Sequence, residues 1–191
     1  MDDKLINIGT IFITGISAAG KTTLSKCLER DLVNEGVENV ILLDGEGLRQ
    51  ELRQSGRIIG FSTEDRNNFS IEIARKAFDY NSNGKICIVC TISHVKNIRE
   101  KMRAIIGNIM EVYLDCPVDV CSKRDYKGNY QKAYDGLYDC FVGVTDEYQV
   151  SDKPELILKT GVERVEESSK ILLKEAMNFI MKGNKTNREE F

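Results

Sequence analysis

Residues 15–22 of the chain read GISAAGKT and match the pattern GxxxxGK(S/T). They follow the apolar, β-branched run at residues 8–14, which is typical of a strand buried on both faces. From Lys21 to Leu32 apolar residues recur at helical spacing. A glycine-rich turn between a strand and a helix lets backbone N–H groups and the helix N-terminus face an anion. The sequence therefore predicts a phosphate-binding loop.

This loop predicts the residues that hold ATP. Lys21 is expected to reach the β- and γ-phosphates, and the Thr22 hydroxyl is expected to ligate Mg²⁺, which offsets charge during phosphoryl transfer. The predicted ATP-binding set is Gly15, Ser17, Ala18, Ala19, Gly20, Lys21, Thr22 and Thr23.

Composition predicts one soluble domain over residues 1–191. The chain has 41% hydrophobic residues, and its 27 basic and 30 acidic residues leave a net charge of -3, which excludes an extended basic surface for nucleic acid. No apolar run approaches the roughly 20 residues that span a bilayer, and the N-terminus does not resemble a signal peptide. We therefore expect a cytoplasmic protein, no membrane partner and six reduced cysteines.

Strand and helix patterns alternate along the chain, which predicts an α/β fold. Strands are predicted at residues 8–14, 40–43, 86–90, 110–114 and 156–158, and helices begin near residues 21, 48, 64, 95, 118 and 162. Such alternation is typical of a three-layer P-loop fold, a mainly parallel sheet with helices on both faces and ligands at the carboxyl ends of the strands. Residues 127–148 lack periodicity and are interpreted as a lid, and residues 183–191 as a frayed tail.

A GTPase is one alternative, because residues 44–47 satisfy the pattern DxxG. However, no NKxD motif follows a later strand. Residues 48–52 instead suggest a short helix that carries Arg49 toward an anion. This arrangement favours a site for a phosphoryl acceptor.

Several further segments carry recognisable motifs: LDGEGLR at residues 43–49, GFSTEDR at 60–66, IS at 92–93 and FVGVTDEY at 141–148. They are similar, in order, to the LDGDxxR, GFSxEDR, ISP and FTGIDxxY segments of the adenylylsulfate (APS) kinase family. Residues 122–133 are similar to SRDxKGxYxxA with one residue inserted. The resemblance covers about residues 11–177.

The resemblance implies ATP-dependent phosphorylation of a ribose 3′-hydroxyl in a small nucleotide. Asp44 and Glu46 are candidates for orienting or deprotonating that hydroxyl, with Lys21 as the third catalytic residue. Arginine forks suit the acceptor's anionic groups, and two phenyl rings clamp its base, at ~1–3 kcal/mol per base. The implied acceptor-binding residues are Arg49, Phe61, Arg66, Ile92, Ser93, Lys127, Lys132 and Phe141. The resemblance also favours a homodimer, although no segment marks an interface.

Four positions depart from the family pattern. Glu46 replaces an aspartate, Phe69 an asparagine, Ile71 a common arginine and His94 the ISP proline. The last three lie on the acceptor side and leave the ATP side intact. Two alternatives therefore stay open: a cytidine diphosphoramidate kinase of bacterial capsule modification, and a nucleotide-binding regulatory module without turnover.

Overall fold

A computed structural model describes residues 6–181 of the chain. The strands are β1 Thr10–Thr14, β2 Val40–Asp44, β3 Ile86–Cys90, β4 Ile109–Leu114 and β5 Leu156–Leu158. The helices are α1 Lys21–Asn34, α2 Gly45–Gln54, α3 Thr63–Ser82, α4 Lys96–Ile106, α5 Val118–Arg124, α6 Asn129–Tyr134 and α7 Val165–Met181. None of the helices in this range is both long and apolar enough to cross a bilayer.

The five strands form one parallel sheet in the order β2-β3-β1-β4-β5. This confirms the predicted α/β fold. β1 is the central strand and is buried along its whole length, as its β-branched sequence predicts. Because all strands run in the same direction, the segments that follow β1, β2 and β3 meet at one edge of the sheet.

Two apolar cores lie on opposite faces of the sheet. Ile11 and Ile13 of β1 pack with Leu28 of α1 and Leu172 of α7 on one face. Phe12 points to the other face, into a core that includes helices α3 and α4. Burial of each such side chain contributes about 1.5–3 kcal/mol relative to exposure. The central strand is thus held from both sides, which fixes the loop at its carboxyl end.

Several boundaries differ from the predicted ones; among them, α2 begins at Gly45 rather than near residue 48. β1 begins at Thr10 because the Asn108 side-chain amide, rather than a neighbouring strand, donates to the Ile8 carbonyl (2.7 Å). α7 begins at Val165, after a turn at residues 160–163. The predicted lid contains helix α6, whose six residues are too few to give a periodic signal. The predicted tail at residues 183–191 lies outside the described residues.

Candidate active site

The loop between β1 and α1 has the conformation that an anion-binding turn requires. Ala18 (φ 59°) and Gly20 (φ 103°) are left-handed, and such residues within a turn direct successive backbone N–H groups to one side. Gly15 is needed for space as well, because a Cβ there would lie 2.9 Å from the Leu114 carbonyl oxygen of β4. The sequence motif therefore forms the predicted cradle.

Two hydroxyl groups from distant segments hold this loop. The Tyr130 hydroxyl of α6 donates to the Ser17 carbonyl (2.9 Å), and the Thr160 hydroxyl, just after β5, donates to the Ala19 carbonyl (2.9 Å). Neither residue was predicted from the sequence. Both bonds engage carbonyl oxygens, so neither of these hydroxyl groups occupies a loop N–H group.

Lys21 lies across the loop that precedes it. Its ammonium group donates to the carbonyls of Gly15 (2.9 Å) and Ile16 (2.7 Å). Burial of the ammonium group lowers the pKa of Lys21 to about 8. Phosphate oxygens would replace neutral carbonyls as its partners and would favour the charged form.

Thr22 and Asp44 bring two oxygen ligands together. The Thr22 hydroxyl donates to Asp44 Oδ2 (3.3 Å), while Asp44 Oδ1 accepts from the Glu46 backbone N–H (3.1 Å) and caps α2. Hydroxyl and carboxylate oxygens suit Mg²⁺, which is usually held by one or two carboxylates plus substrate phosphates. Residues 6–181 contain no cluster of three or more His, Cys, Asp or Glu that could hold a metal alone. The pair therefore fits Mg²⁺ that arrives with a nucleotide.

The two predicted lid lysines differ in position. Lys127 forms an ion pair with Glu46, and this hydrogen bond raises the pKa of the Lys127 ammonium. Lys132 is exposed and does not line the cleft described below. In this conformation only Lys127 joins the predicted site.

Arg49 lies over two phenyl rings at the acceptor end of the site. Its guanidinium carbon is 4.9 Å from the Phe61 ring centre and 4.2 Å from that of Phe69. Burial, and then the charges of Arg66 and Arg53, lower the pKa of Arg49 to about 10. Among the described residues, no carboxylate forms an ion pair with these three arginines. Such a cluster suits an anionic ligand.

Arg66 connects the two segments that carry the predicted aromatic clamp. Its Nε donates to the Phe61 carbonyl (2.8 Å), and its Nη2 donates to the Cys140 carbonyl (3.1 Å), next to Phe141. The Phe61 ring is half-exposed, whereas Phe141 is buried and stacks on Tyr138 with 5.8 Å between ring centres. Both rings line the cleft, but only Phe61 offers a largely open face.

One continuous cleft of about 1430 Å³ contains both ends of the site. Every residue predicted for ATP, Mg²⁺, catalysis or the acceptor lines it, except Gly15 and Lys132. The fold thus brings together segments that follow β1, β2 and β3 with part of the lid.

Comparisons with known proteins identify the family. The sequence profile described as "Adenylylsulphate kinase" matches residues 8–159. The chain belongs to the adenylylsulphate kinase family. The adenylyl-sulfate kinase of Rippkaea orientalis is 40% identical over 159 residues, which cover 83% of this chain and 86% of that protein. That of Halothermothrix orenii is 41% identical over 163 residues, covering 84% of each.

A solved adenylylsulphate kinase has a similar structure. The APS kinase of Mycobacterium tuberculosis, solved with AMPPNP and APS, matches with a TM-score of 0.79 and 29% identity. The match covers 89% of this chain and 98% of that one. The likeness therefore includes nearly the whole P-loop fold of this chain.

The departures from the adenylylsulphate kinase pattern occupy different environments. Phe69 lines the cleft beneath Arg49. Ile71 packs against the core, and His94 is buried with a lowered pKa, caused first by burial and then by Arg66. Neither Ile71 nor His94 lines the cleft. Only one of the three acceptor-side changes therefore reaches the site.

Ser93 was predicted as an acceptor-binding residue, but the row of buried hydroxyl groups to which it belongs was not predicted. Thr91 Oγ1 lies 2.6 Å from Ser93 Oγ, which lies 2.8 Å from Ser70 Oγ. The Ser70 hydroxyl donates to the Arg66 carbonyl (2.8 Å). The position of Thr91 directly after β3 was the available signal, since ligands gather at the carboxyl ends of parallel strands.

Proposed function

We propose that this chain transfers the γ-phosphoryl group of ATP to the ribose 3′-hydroxyl of adenylyl sulfate, giving ADP and the 3′-phosphorylated nucleotide. The observation that carries the proposal is the single cleft, with a phosphate-binding loop at one end and Arg49, Phe61 and Arg66 at the other. Membership of the adenylylsulphate kinase family supports the choice of acceptor.

The donor side binds and orients the triphosphate. Loop N–H groups donate hydrogen bonds to the phosphate oxygens, and Lys21 moves from the Gly15 and Ile16 carbonyls to the β- and γ-phosphates. This places a positive charge where negative charge develops. Thr22 and Asp44 are the residues that would hold Mg²⁺, which when bound would neutralise part of the negative charge on the phosphates.

Glu46 is the better candidate for the proton acceptor. Asp44 is already bonded to Thr22 and to the backbone of α2. The Glu46 side chain is 69% exposed and, among residues 6–181, pairs only with Lys127. As the ribose oxygen bonds to the γ-phosphorus, the bond from that phosphorus to ADP breaks, and the hydroxyl proton passes to the carboxylate. Asp44 then serves to orient the donor side.

The acceptor side recognises an anion beside an aromatic base. Arg49 and Arg66 supply guanidinium forks that lack carboxylate partners among residues 6–181. The exposed face of Phe61 suits stacking against the base. Ile92 and Ser93 form the wall between these groups and the end of β3.

Cytidine diphosphoramidate is the second candidate acceptor. It rests on the changes at Phe69, Ile71 and His94, of which only Phe69 lines the cleft. Because two of the three changed residues do not line the cleft, we favour adenylyl sulfate. The acceptor assay below tests both compounds.

The test follows ADP release with Mg²⁺ and ATP in the presence of adenylyl sulfate, cytidine diphosphoramidate or no acceptor. Mass spectrometry should find adenylyl sulfate heavier by one phosphate, and Lys21→Ala should abolish the product. Release with the cytidine compound alone would reassign the acceptor. ATP binding without release in any arm would indicate the regulatory module.

Two further expectations remain proposals. The chain is proposed to act as a homodimer, which sedimentation of the purified protein tests directly. It is also proposed to unfold as one domain over residues 1–191, because both cores share the central strand. Two separate thermal transitions would contradict this second proposal.

A further inference from the structure

Ser93 has a strained backbone on the wall of the cleft. Its φ is 40°, a left-handed conformation that is uncommon for serine and persists only where neighbouring groups hold it. The side-chain oxygen is held by the row of hydroxyls from Thr91 to Ser70. The carbonyl oxygen accepts from Arg99 Nη1 (2.7 Å). Both ends of this residue are therefore fixed.

The hydroxyl row has one direction. Each hydroxyl has a single proton, and the Ser70 proton goes to the Arg66 carbonyl. Ser93 must then donate to Ser70, and Thr91 must donate to Ser93. Ser93 lies in the middle of this row, and its carbonyl oxygen is the atom that Arg99 contacts.

Arg99 connects the loop after β3 to the segment after the lid. It is 2% exposed and projects from the first turn of α4. Besides Ser93, its guanidinium donates to the Gln149 carbonyl and to Ser151 Oγ (3.0 Å), and it pairs with Glu111 (3.1 Å). The planar guanidinium has five N–H donors and can form all of these hydrogen bonds at once, whereas a lysine ammonium, with three donors, cannot.

Backbone contacts join the same two segments. The Gln149 N–H donates to the His94 carbonyl (3.0 Å), and the Lys96 N–H donates to Gln149 Oε1 (3.0 Å). The Tyr148 hydroxyl lies 2.8 Å from Thr14 Oγ1, at the end of β1. The segment after the lid is thus fastened to the wall that carries Ser93.

We propose that Arg99 is a positioning residue for the acceptor nucleotide. Arg99 does not line the cleft, so it acts through the Ser93 loop and through residues 149–151. By contacting both segments, Arg99 keeps Ser93 in its left-handed conformation and keeps the wall of the acceptor site ordered. The effect on acceptor affinity rests on the proposed function, whereas the effect on loop order does not.

Arg103 provides a matched control. It lies one turn further along α4 and also pairs with Glu111 (3.4 Å), and its second partner is Glu155 (2.7 Å). It makes no hydrogen bond to Ser93 or to residues 149–151 within the described part of the chain. Arg103→Lys therefore disturbs the same ion-pair network and leaves the loop contacts in place.

The experiment compares Arg99→Lys with Arg103→Lys in the full chain. Arg99→Lys should raise KM for adenylyl sulfate about tenfold and change KM for ATP less than about twofold. Amide hydrogen exchange should accelerate at residues 91–97 and 145–151. Arg103→Lys should leave both readouts at the wild-type level. Equal effects in the two variants, or a parallel rise in both KM values, would overturn the proposal.

A second variant and a second readout distinguish failure of the proposed function from failure of the positioning proposal. If Arg99→Lys does not fold, Ser151→Ala is the second variant. It removes both hydrogen bonds from Arg99 to Ser151 Oγ, together with the Ser151 bond to Glu111, and should raise KM for adenylyl sulfate by about two- to fivefold with the same exchange pattern. If the wild type does not phosphorylate adenylyl sulfate, the proposed function fails. Hydrogen exchange alone then tests whether Arg99 positions the two segments. Unchanged exchange in both segments of the Arg99 or Ser151 variant would then refute positioning.

Discussion

Lys127 of the lid and Glu46 of α2 form an ion pair at the cleft. The Glu46 side chain is 69% exposed and that of Lys127 is 38% exposed, so the pair contributes at most about 1 kcal/mol to stability. Such a contact breaks readily. We infer that the pair opens to leave Glu46 available to a substrate hydroxyl.

Replacing Glu46 tests its role in catalysis. Glu46→Gln keeps the size of the side chain but removes the proton acceptor, so kcat should fall about 10²- to 10⁴-fold while ATP affinity changes little. Initial rates and ATP titration measure the two effects. Glu51→Gln, on an exposed position of the same helix, should retain wild-type turnover. Unchanged kcat in Glu46→Gln would remove Glu46 from the mechanism.

Lys127 is expected to matter beyond its weak ion pair. Lys127→Ala removes a positive charge beside the reacting groups and should lower kcat about tenfold or more, with a stability loss below about 1 kcal/mol. Rate assays and thermal unfolding separate these effects. The exposed Lys123, which pairs with Asp119 and does not line the cleft, provides the control Lys123→Ala. A matching loss in both variants would argue against a specific role.

Arg49 should determine affinity for the acceptor. Arg49→Ala removes a guanidinium that has no carboxylate partner within residues 6–181, and KM for the acceptor should rise about tenfold or more while KM for ATP stays constant. Arg57→Ala is the comparison, because Arg57 pairs with Glu72 (2.8 Å) and does not line the cleft. The prediction fails if ATP and acceptor are affected alike.

ATP affinity should fall above pH 8. Lys21 in the free protein has a pKa lowered to about 8 by burial, and bound phosphates would raise that pKa. Below pH 8 both states keep the proton, so the Kd is constant; above it the free protein loses the proton first, and the Kd rises by up to about tenfold per pH unit. Calorimetry from pH 7 to about 9.5 measures this. Lys21→Met should bind ATP more weakly, and its Kd should not show this additional rise above pH 8.

The space at Gly15 predicts the effect of a single methyl group. Gly15→Ala would place Cβ 2.9 Å from the Leu114 carbonyl oxygen, so the loop must shift and the Kd for ATP should rise about tenfold or more. Gly84→Ala imposes a left-handed alanine (φ 75°) in open space, and should cost about 1 kcal/mol without changing ATP binding. Equal ATP affinities for the two variants would contradict this account.

The sequence best predicts the strands, helices and loops whose conformation is determined by residues close together in the chain. The strand, loop and helix around residues 10–34 follow from local periodicity and glycine placement, and the structure has them. Thr160 and Tyr130 could not be found in this way, because their partners Ala19 and Ser17 are 141 and 113 residues away in the chain. The acceptor residues came from family resemblance, and their roles remain predictions.

The Thr14 hydroxyl connects the end of β1 to the wall of the predicted acceptor site. Thr14 Oγ1 donates to the Ile92 carbonyl (2.6 Å), so the Tyr148 hydroxyl must donate to Thr14 (2.8 Å). The end of the strand that carries the phosphate-binding loop is thereby joined to the wall that is predicted to face the acceptor. Because adjacent strands are spaced about 4.8 Å apart, we expect the sheet to fix the distance between the predicted donor and acceptor sites. Opening the predicted lid would then admit ligands without changing the distance between the γ-phosphorus of ATP and the acceptor hydroxyl.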